Sequence, residues 1–196
     1  MSTAPPSEVT PSLPFRRLGL VGTGAMGRGI AQLAAQAGLE VSLHDARTGA
    51  VDEARSFITG VWTRGVTKGR LSEEDLACYR ARLHEAADLT DLAGCDIVVE
   101  AIAENLQAKQ ELFTRLEGIL GDQAVLATNT SSLSVTAIAS ACRLPQRVIG
   151  FHFFNPVPLM KIVEVIPGLR TTADVAERVE ALGQAMGHFT SRATDT

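Results

Sequence analysis

Along this chain the apolar positions switch repeatedly between two periods. Short β-type runs at residues 18–21, 40–44, 96–101, 124–128, 147–151 and 161–165 read as strands. Between them lie helical patterns, among them 30–35, a segment carrying Lys109, 135–140 and 173–187. Such alternation predicts an α/β fold with a mostly parallel sheet and crossover helices. The stretch between Asp45 and Asp96 is longer than an ordinary crossover and reads as a helical-hairpin insertion. Its two helices are predicted at 49–64 and 72–79, joined by a glycine-flanked basic link, residues 65–70. Ser72 before Glu73, Glu74 and Asp75 predicts the second start: a cap followed by acids in the first turn. Residues 1–14 carry four prolines and no apolar segment, so they read as a disordered leader before a single domain over 15–196.

Composition narrows the function classes. A chain of 196 residues that is 45% hydrophobic can bury one sizeable core. The formal charge of −4, with no lysine-arginine stripe, argues against nucleic acid as a partner, and no basic amphipathic or long apolar stretch points to a membrane. Cys78, Cys95 and Cys142 are odd in number and far apart, so neither a disulfide framework nor a metal site follows from their spacing. They read as buried thiols in a reducing compartment, which makes the expected location cytoplasmic.

The first chemical motif is Gly22-Thr23-Gly24-Ala25-Met26-Gly27, which closes a predicted strand and opens a helix. In that context Gly22 permits the turn, Gly24 lets a pyrophosphate approach the backbone, and Gly27 allows close helix–strand packing. The unpaired N–H groups of the helix start then face an anion. A second strand ends in Asp45, eighteen residues past Gly27. An acid there accepts hydrogen bonds from the adenosine ribose and favours NAD over NADP. Arg47 leaves the choice open, because a guanidinium so near could receive a 2′-phosphate.

The ends of the next three strands offer polar groups to one crevice, where an open α/β sheet places its ligands. They lead into Ile102-Ala103-Glu104-Asn105, Asn129-Thr130-Ser131-Ser132 and His152-Phe153-Phe154-Asn155. His152 is followed twelve residues later by Glu164. A ring held at the end of an apolar run, with a carboxylate to stabilise its charged form, suits proton abstraction from a secondary alcohol. A solitary histidine beside an apolar run is more often a core or loop residue; the nucleotide signals are what set this one apart.

Taken together, Gly22–Gly27, Val98-Val99-Glu100-Ala101-Ile102, Thr128-Asn129-Thr130-Ser131-Ser132-Leu133 and His152-Phe153-Phe154-Asn155-Pro156-Val157-Pro158 closely resemble the 3-hydroxyacyl-CoA dehydrogenase family over residues 17–196. The resemblance implies a Rossmann-type, doubly wound NAD-binding domain. It implies His152 as the base, Glu164 as the acid orienting it, and Ser131 as a substrate contact. Asp45, Glu104, Lys109 and Asn155, with the motif residues Gly22, Gly24, Ala25, Met26 and Gly27, would line the NAD site. Lys68 falls in the region that touches coenzyme A in relatives. Leu92-Ala93-Gly94-Cys95-Asp96 and Gly168-Leu169-Arg170-Thr171 resemble the phenylacetate-degradation branch, whose substrate is 3-hydroxyadipyl-CoA. Family members continue past the equivalent of Thr196 into a helical domain that closes the acyl pocket and forms a homodimer. That domain is expected to be absent here, which favours a second reading, a nucleotide-binding module without turnover. A third, another nicotinamide enzyme such as a 3-hydroxyacid dehydrogenase, would share the glycine opening, but the His152–Pro158 segment disfavours it.

Overall fold

The computed structural model describes residues 13–195. Within them the chain runs β1 (Arg17–Val21), α1 (Ala25–Ala37), β2 (Glu40–His44), α2 (Ala50–Thr67), α3 (Glu73–Ala81), β3 (Leu83–Glu85), β4 (Ile97–Glu100), α4 (Leu106–Ile119), β5 (Val125–Thr128), α5 (Val135–Ala139), β6 (Val148–Phe153), β7 (Ile162–Pro167), α6 (Ala173–Ala185) and β8 (Phe189–Arg192). All eight strands join one sheet in the order β3-β2-β1-β4-β5-β6-β7-β8. The ladders from β3 to β6 are parallel, β7 pairs antiparallel with β6, and β8 parallel with β7. The order reverses direction between β1 and β4, which opens a crevice beyond their carboxyl ends.

Side-chain alternation on the strands explains the two layers of helices. Leu18, Leu20, Val41, Leu43, Ile97, Val99, Val125, Ala127, Ile149 and Phe151 face one core with residues of α1, α2, α3 and α6. Val21, Val98, Leu126 and Val148 point the other way, against α4 and α5. Both faces are therefore apolar, as a central parallel sheet requires. The architecture is the expected Rossmann-type one, with the helical hairpin α2–α3 inserted beside the β2–β3 edge.

Four expectations are corrected in detail. Helix α2 continues through Gly65, Val66 and Thr67, so the link is shorter than the six residues read from the glycines. Two strands, β3 and β8, escape the hydrophobic pattern because their residues are mostly exposed. Strand β6 extends through Phe153, so His152 sits within the sheet and not just beyond it. Cys78 is exposed, whereas Cys95 and Cys142 are buried, with burial pushing both thiols up to about 11. Ser72 does cap α3, through a reciprocal capping box with Asp75. Of the expected leader, residues 1–12 lie outside the described residues, and Leu13 packs against the first core. No helix among the described residues is long and apolar enough to cross a membrane.

Candidate active site

The glycine motif forms the β1–α1 turn at the reversal of strand order. Gly22 adopts φ +95, and a Cβ there would meet the Ala101 carbonyl oxygen at 2.7 Å. Gly24 differs: a Cβ at this position would meet nothing within 4 Å. It is the N-cap of α1, no side chain caps the helix, and it lines a cavity of about 430 Å³ with Gly22, Asp45, Ala46, Ala101, Ile102 and others. An uncapped helix start opening into space beside a carboxylate is a cradle that fits a dinucleotide's pyrophosphate and ribose.

Asp45 is held by three local donors. Its Oδ2 receives the Thr23 N–H at 2.7 Å and the Thr23 hydroxyl at 2.9 Å, and its Oδ1 receives the Arg47 N–H at 2.9 Å. Burial pulls this carboxyl upward, but those donors and the Arg47 charge outweigh it and hold it below the ordinary carboxylate range. The Arg47 guanidinium turns to Glu53, with contacts of 2.9 and 2.6 Å.

A second cavity, of about 360 Å³, adjoins the first through Ala101 and Ile102. Met26, Glu104, Asn129, Ser131, His152 and Asn155 all line it. On β6, His152 stands opposite Glu164 of β7, and its Nδ1 lies 2.9 Å from Glu164 Oε2. With Nδ1 as the donor, Nε2 is left as the basic nitrogen, and it makes no hydrogen bond among the described residues. Asn129 supports this strand end: its Oδ1 accepts the Phe153 N–H at 2.9 Å. The Asn155–Pro156 peptide bond is cis.

The loops bearing Glu104 and Ser131 are tied by a network reaching into the core. Glu104 Oε1 accepts from the Thr130 hydroxyl and from the Ser131 N–H at 2.9 Å. Burial pulls Glu104 upward, yet Thr130, Ser131 and Lys109 bring it below its usual value. Beneath lies Lys109, fully buried, with Nζ 2.6 Å from Glu100 and 3.2 Å from Glu104. Glu100 in turn accepts the Thr128 hydroxyl at 2.7 Å and the Ile102 N–H at 2.6 Å. Lys109 thus reaches the cleft through Glu104 and does not line it.

Of the residues singled out from sequence, Met26, Glu104, Ser131, His152 and Asn155 meet in one cavity, and Gly22, Gly24 and Asp45 in its neighbour. Ala25 opens α1, and Gly27 packs so tightly that a Cβ would come within 1.8 Å of the Gly22 carbonyl oxygen. Lys68 stands apart, capping the end of α2 in a cavity of about 410 Å³ with Gln32, Gln36, Trp62, Arg64 and Arg70. Sequence reasoning passed over Asn129, although it lay within a quoted motif. It also passed over Arg115 of α4, which lines the Asp45 cavity and whose place on a helix face gave no signal.

Comparison with known proteins agrees with this geometry. The family model described as 3-hydroxyacyl-CoA dehydrogenase, NAD binding domain, matches residues 17–196. A probable 3-hydroxybutyryl-CoA dehydrogenase of Deinococcus radiodurans is 42% identical over 171 residues, 87% of this chain and 61% of that protein. The 3-hydroxyadipyl-CoA dehydrogenase of Escherichia coli is 42% identical over 168 residues, 86% of this chain and 35% of the relative. The crystal structure of 3-hydroxybutyryl-CoA dehydrogenase from Escherichia coli superposes with a TM-score of 0.91 at 40% identity, covering 93% of this chain and 39% of that one. The chain therefore spans less than two thirds of the length of these relatives. With an open glycine turn beside the Asp45 carboxylate and a family match over nearly every described residue, the chain belongs to the 3-hydroxyacyl-CoA dehydrogenase family, whose NAD-binding domain it matches.

Proposed function

We propose that the chain provides the cofactor-binding and proton-transfer half of an NAD-dependent dehydrogenase, which oxidises (3S)-3-hydroxyacyl-CoA to 3-oxoacyl-CoA in fatty-acid or phenylacetate-type degradation. The observation that carries this reading is the His152–Glu164 pair set across one ladder, with His152 lining the cavity that also holds Ser131 and Asn155.

His152 Nε2 takes the proton of the 3-hydroxyl as the C3–H bond breaks. The Nδ1–H keeps donating to the Glu164 carboxylate, which fixes the tautomer and stabilises the imidazolium as it forms. Ser131 donates its hydroxyl to the substrate oxygen, and its backbone is held by Glu104. Asp45 holds the adenosine ribose, and the open turn at Gly24 leaves room for the pyrophosphate. Nicotinamide, when bound, supplies the hydride acceptor; the protein supplies orientation and proton management.

Coenzyme A recognition by Lys68 rests on the family resemblance. Its support here is the basic lining of the Lys68 cavity, where Arg64 and Arg70 join it. The buried Trp62 Nε1 beside them has no hydrogen-bond partner among the described residues. The expected homodimer, formed through a helical domain as in relatives, belongs to this same proposal.

The test is the NADH-dependent reduction of acetoacetyl-CoA and of 3-oxoadipyl-CoA by the full-length protein, followed by NADH absorbance. Turnover of either thioester supports the dehydrogenase, and their ratio of kcat/KM assigns the branch. Tight NADH binding with no turnover of any 3-oxoacyl-CoA would leave a nucleotide-binding module and end the proposal.

A further inference from the structure

The sequence leaves the choice between NAD and NADP open at Arg47, and the structure shows what occupies that guanidinium. Both of its terminal nitrogens meet the Glu53 carboxylate, Nη1 to Oε1 at 2.9 Å and Nη2 to Oε2 at 2.6 Å, a fork-to-fork pair. Arg47 is rooted beside the ribose acid, since its own N–H donates to Asp45 Oδ1. Glu53 sits in the first turn of α2, where the helix start favours a carboxylate. The two side chains are 61% and 66% exposed, so the pair adds little to stability. What it does is geometric: it turns the nearest cation after β2 toward α2 and adds a second negative charge beside Asp45.

From this the geometry points to Glu53 as a residue that sets cofactor choice by sequestering Arg47 from a 2′-phosphate. The inference rests on Asp45 holding the adenosine ribose, as proposed above. A 2′-phosphate brought to this site meets Asp45 and Glu53, while the guanidinium that would receive it is bidentate elsewhere. Glu53→Gln removes the competing carboxylate, keeps the side-chain shape, and leaves Arg47 with the incoming phosphate as its strongest acceptor. Selectivity at this site therefore has two parts: repulsion by Asp45 and withdrawal of Arg47 by Glu53.

Equilibrium titrations with NADH and NADPH, followed by nicotinamide fluorescence, test it on four proteins: the unaltered chain, Glu53→Gln, Arg47→Ala and the double variant. The unaltered chain binds NADH more tightly than NADPH. In Glu53→Gln the NADPH Kd falls about fivefold to tenfold, the scale of one new charge-assisted contact at an exposed site, and the NADH Kd stays within about twofold. The gain disappears when Arg47→Ala is added. An unchanged NADPH Kd in Glu53→Gln overturns the inference. So does a gain that survives in the double variant, because the effect is then loss of Glu53 charge or a contribution from Arg115 and not release of Arg47. If the unaltered chain binds neither nucleotide, the failure lies earlier, in the NAD reading itself.

Discussion

His152 and Glu164 face each other across the antiparallel ladder of β6 and β7, with imidazole Nδ1 2.9 Å from the carboxylate Oε2. Direct cross-strand partners on one face are the closest side-chain neighbours a sheet offers. Their register is fixed by what lies behind them. Phe151 opposite Val165 and Phe153 opposite Val163 fill the core face, and a slip of one residue would turn all of these outward. The sheet thus sets the ring and its acid without relying on a loop.

Replacing Glu164 by Gln should lower kcat and kcat/KM together by a factor on the order of a hundred, because the charge matters when the imidazolium forms. The Kd for NADH should be unchanged. Steady-state kinetics beside a nucleotide titration check both; a rise in KM at constant kcat would show that Glu164 binds substrate instead.

Gly24 and Gly27 should part company. Ala at Gly24 meets only open space within the cavity, so urea unfolding should be nearly unaltered while NADH affinity drops by about tenfold or more, as a methyl group enters the pyrophosphate cradle. Ala at Gly27 would drive a Cβ to 1.8 Å from the Gly22 carbonyl oxygen, and the chain should lose stability outright. Equal NADH affinity for Gly24→Ala and the unaltered chain would place the pyrophosphate elsewhere.

Lys109→Met leaves Glu100 wholly buried with its closest counter-charge removed. A loss of about 3–5 kcal/mol is expected from breaking such a pair on one side only. Adding Glu100→Gln should restore much of it, which denaturant melts of the single and double variants measure. Additive losses would mean that the two groups do not act as a pair.

Asp195 closes the start of α5 from sixty residues away, accepting the Val135 N–H at 2.7 Å and the Thr136 N–H at 2.8 Å. Burial pulls this carboxyl upward, and its donors from Thr136, Val135 and Ser134 outweigh that, so it lies below the usual range. A carboxyl lowered in the fold gives stability that is complete above the ordinary carboxylate range and is lost as pH falls through the lowered value. Asp195→Ala should therefore cost about 1 kcal/mol at neutral pH, the scale of a helix cap. The gap should close in strong acid. Urea midpoints measured across pH would show it, and a gap that widens on acidification would contradict the assignment.

β1, β4, β5 and β6 were legible because strands buried on both faces are written in apolar residues, and β2 and β7 because their buried positions alternate. β3 and β8 were not legible: His84 and Glu85 are exposed in one, and Phe189, Ser191 and Arg192 in the other, so backbone pairing forms them without a hydrophobic signature. The placement of the glycine turn beside Asp45, and of His152 opposite Glu164, could be read because it follows from motif spacings along the strands. The same motifs gave Lys109 as part of the cleft surface, and only the fold shows it underneath, joined to Glu100 and Glu104. Asp195 and Glu53 act over distances or through partners that no local pattern encodes.

The central claim, that His152 is the base for hydroxyl oxidation, is tested most directly by the full-length protein carrying His152→Gln. Glutamine can hydrogen-bond but cannot take the proton. For oxidation of (3S)-3-hydroxybutyryl-CoA by NAD, kcat/KM should fall by a factor on the order of a hundred or more while the NADH Kd is unchanged. Equal kcat/KM in the variant and the unaltered protein would contradict the account.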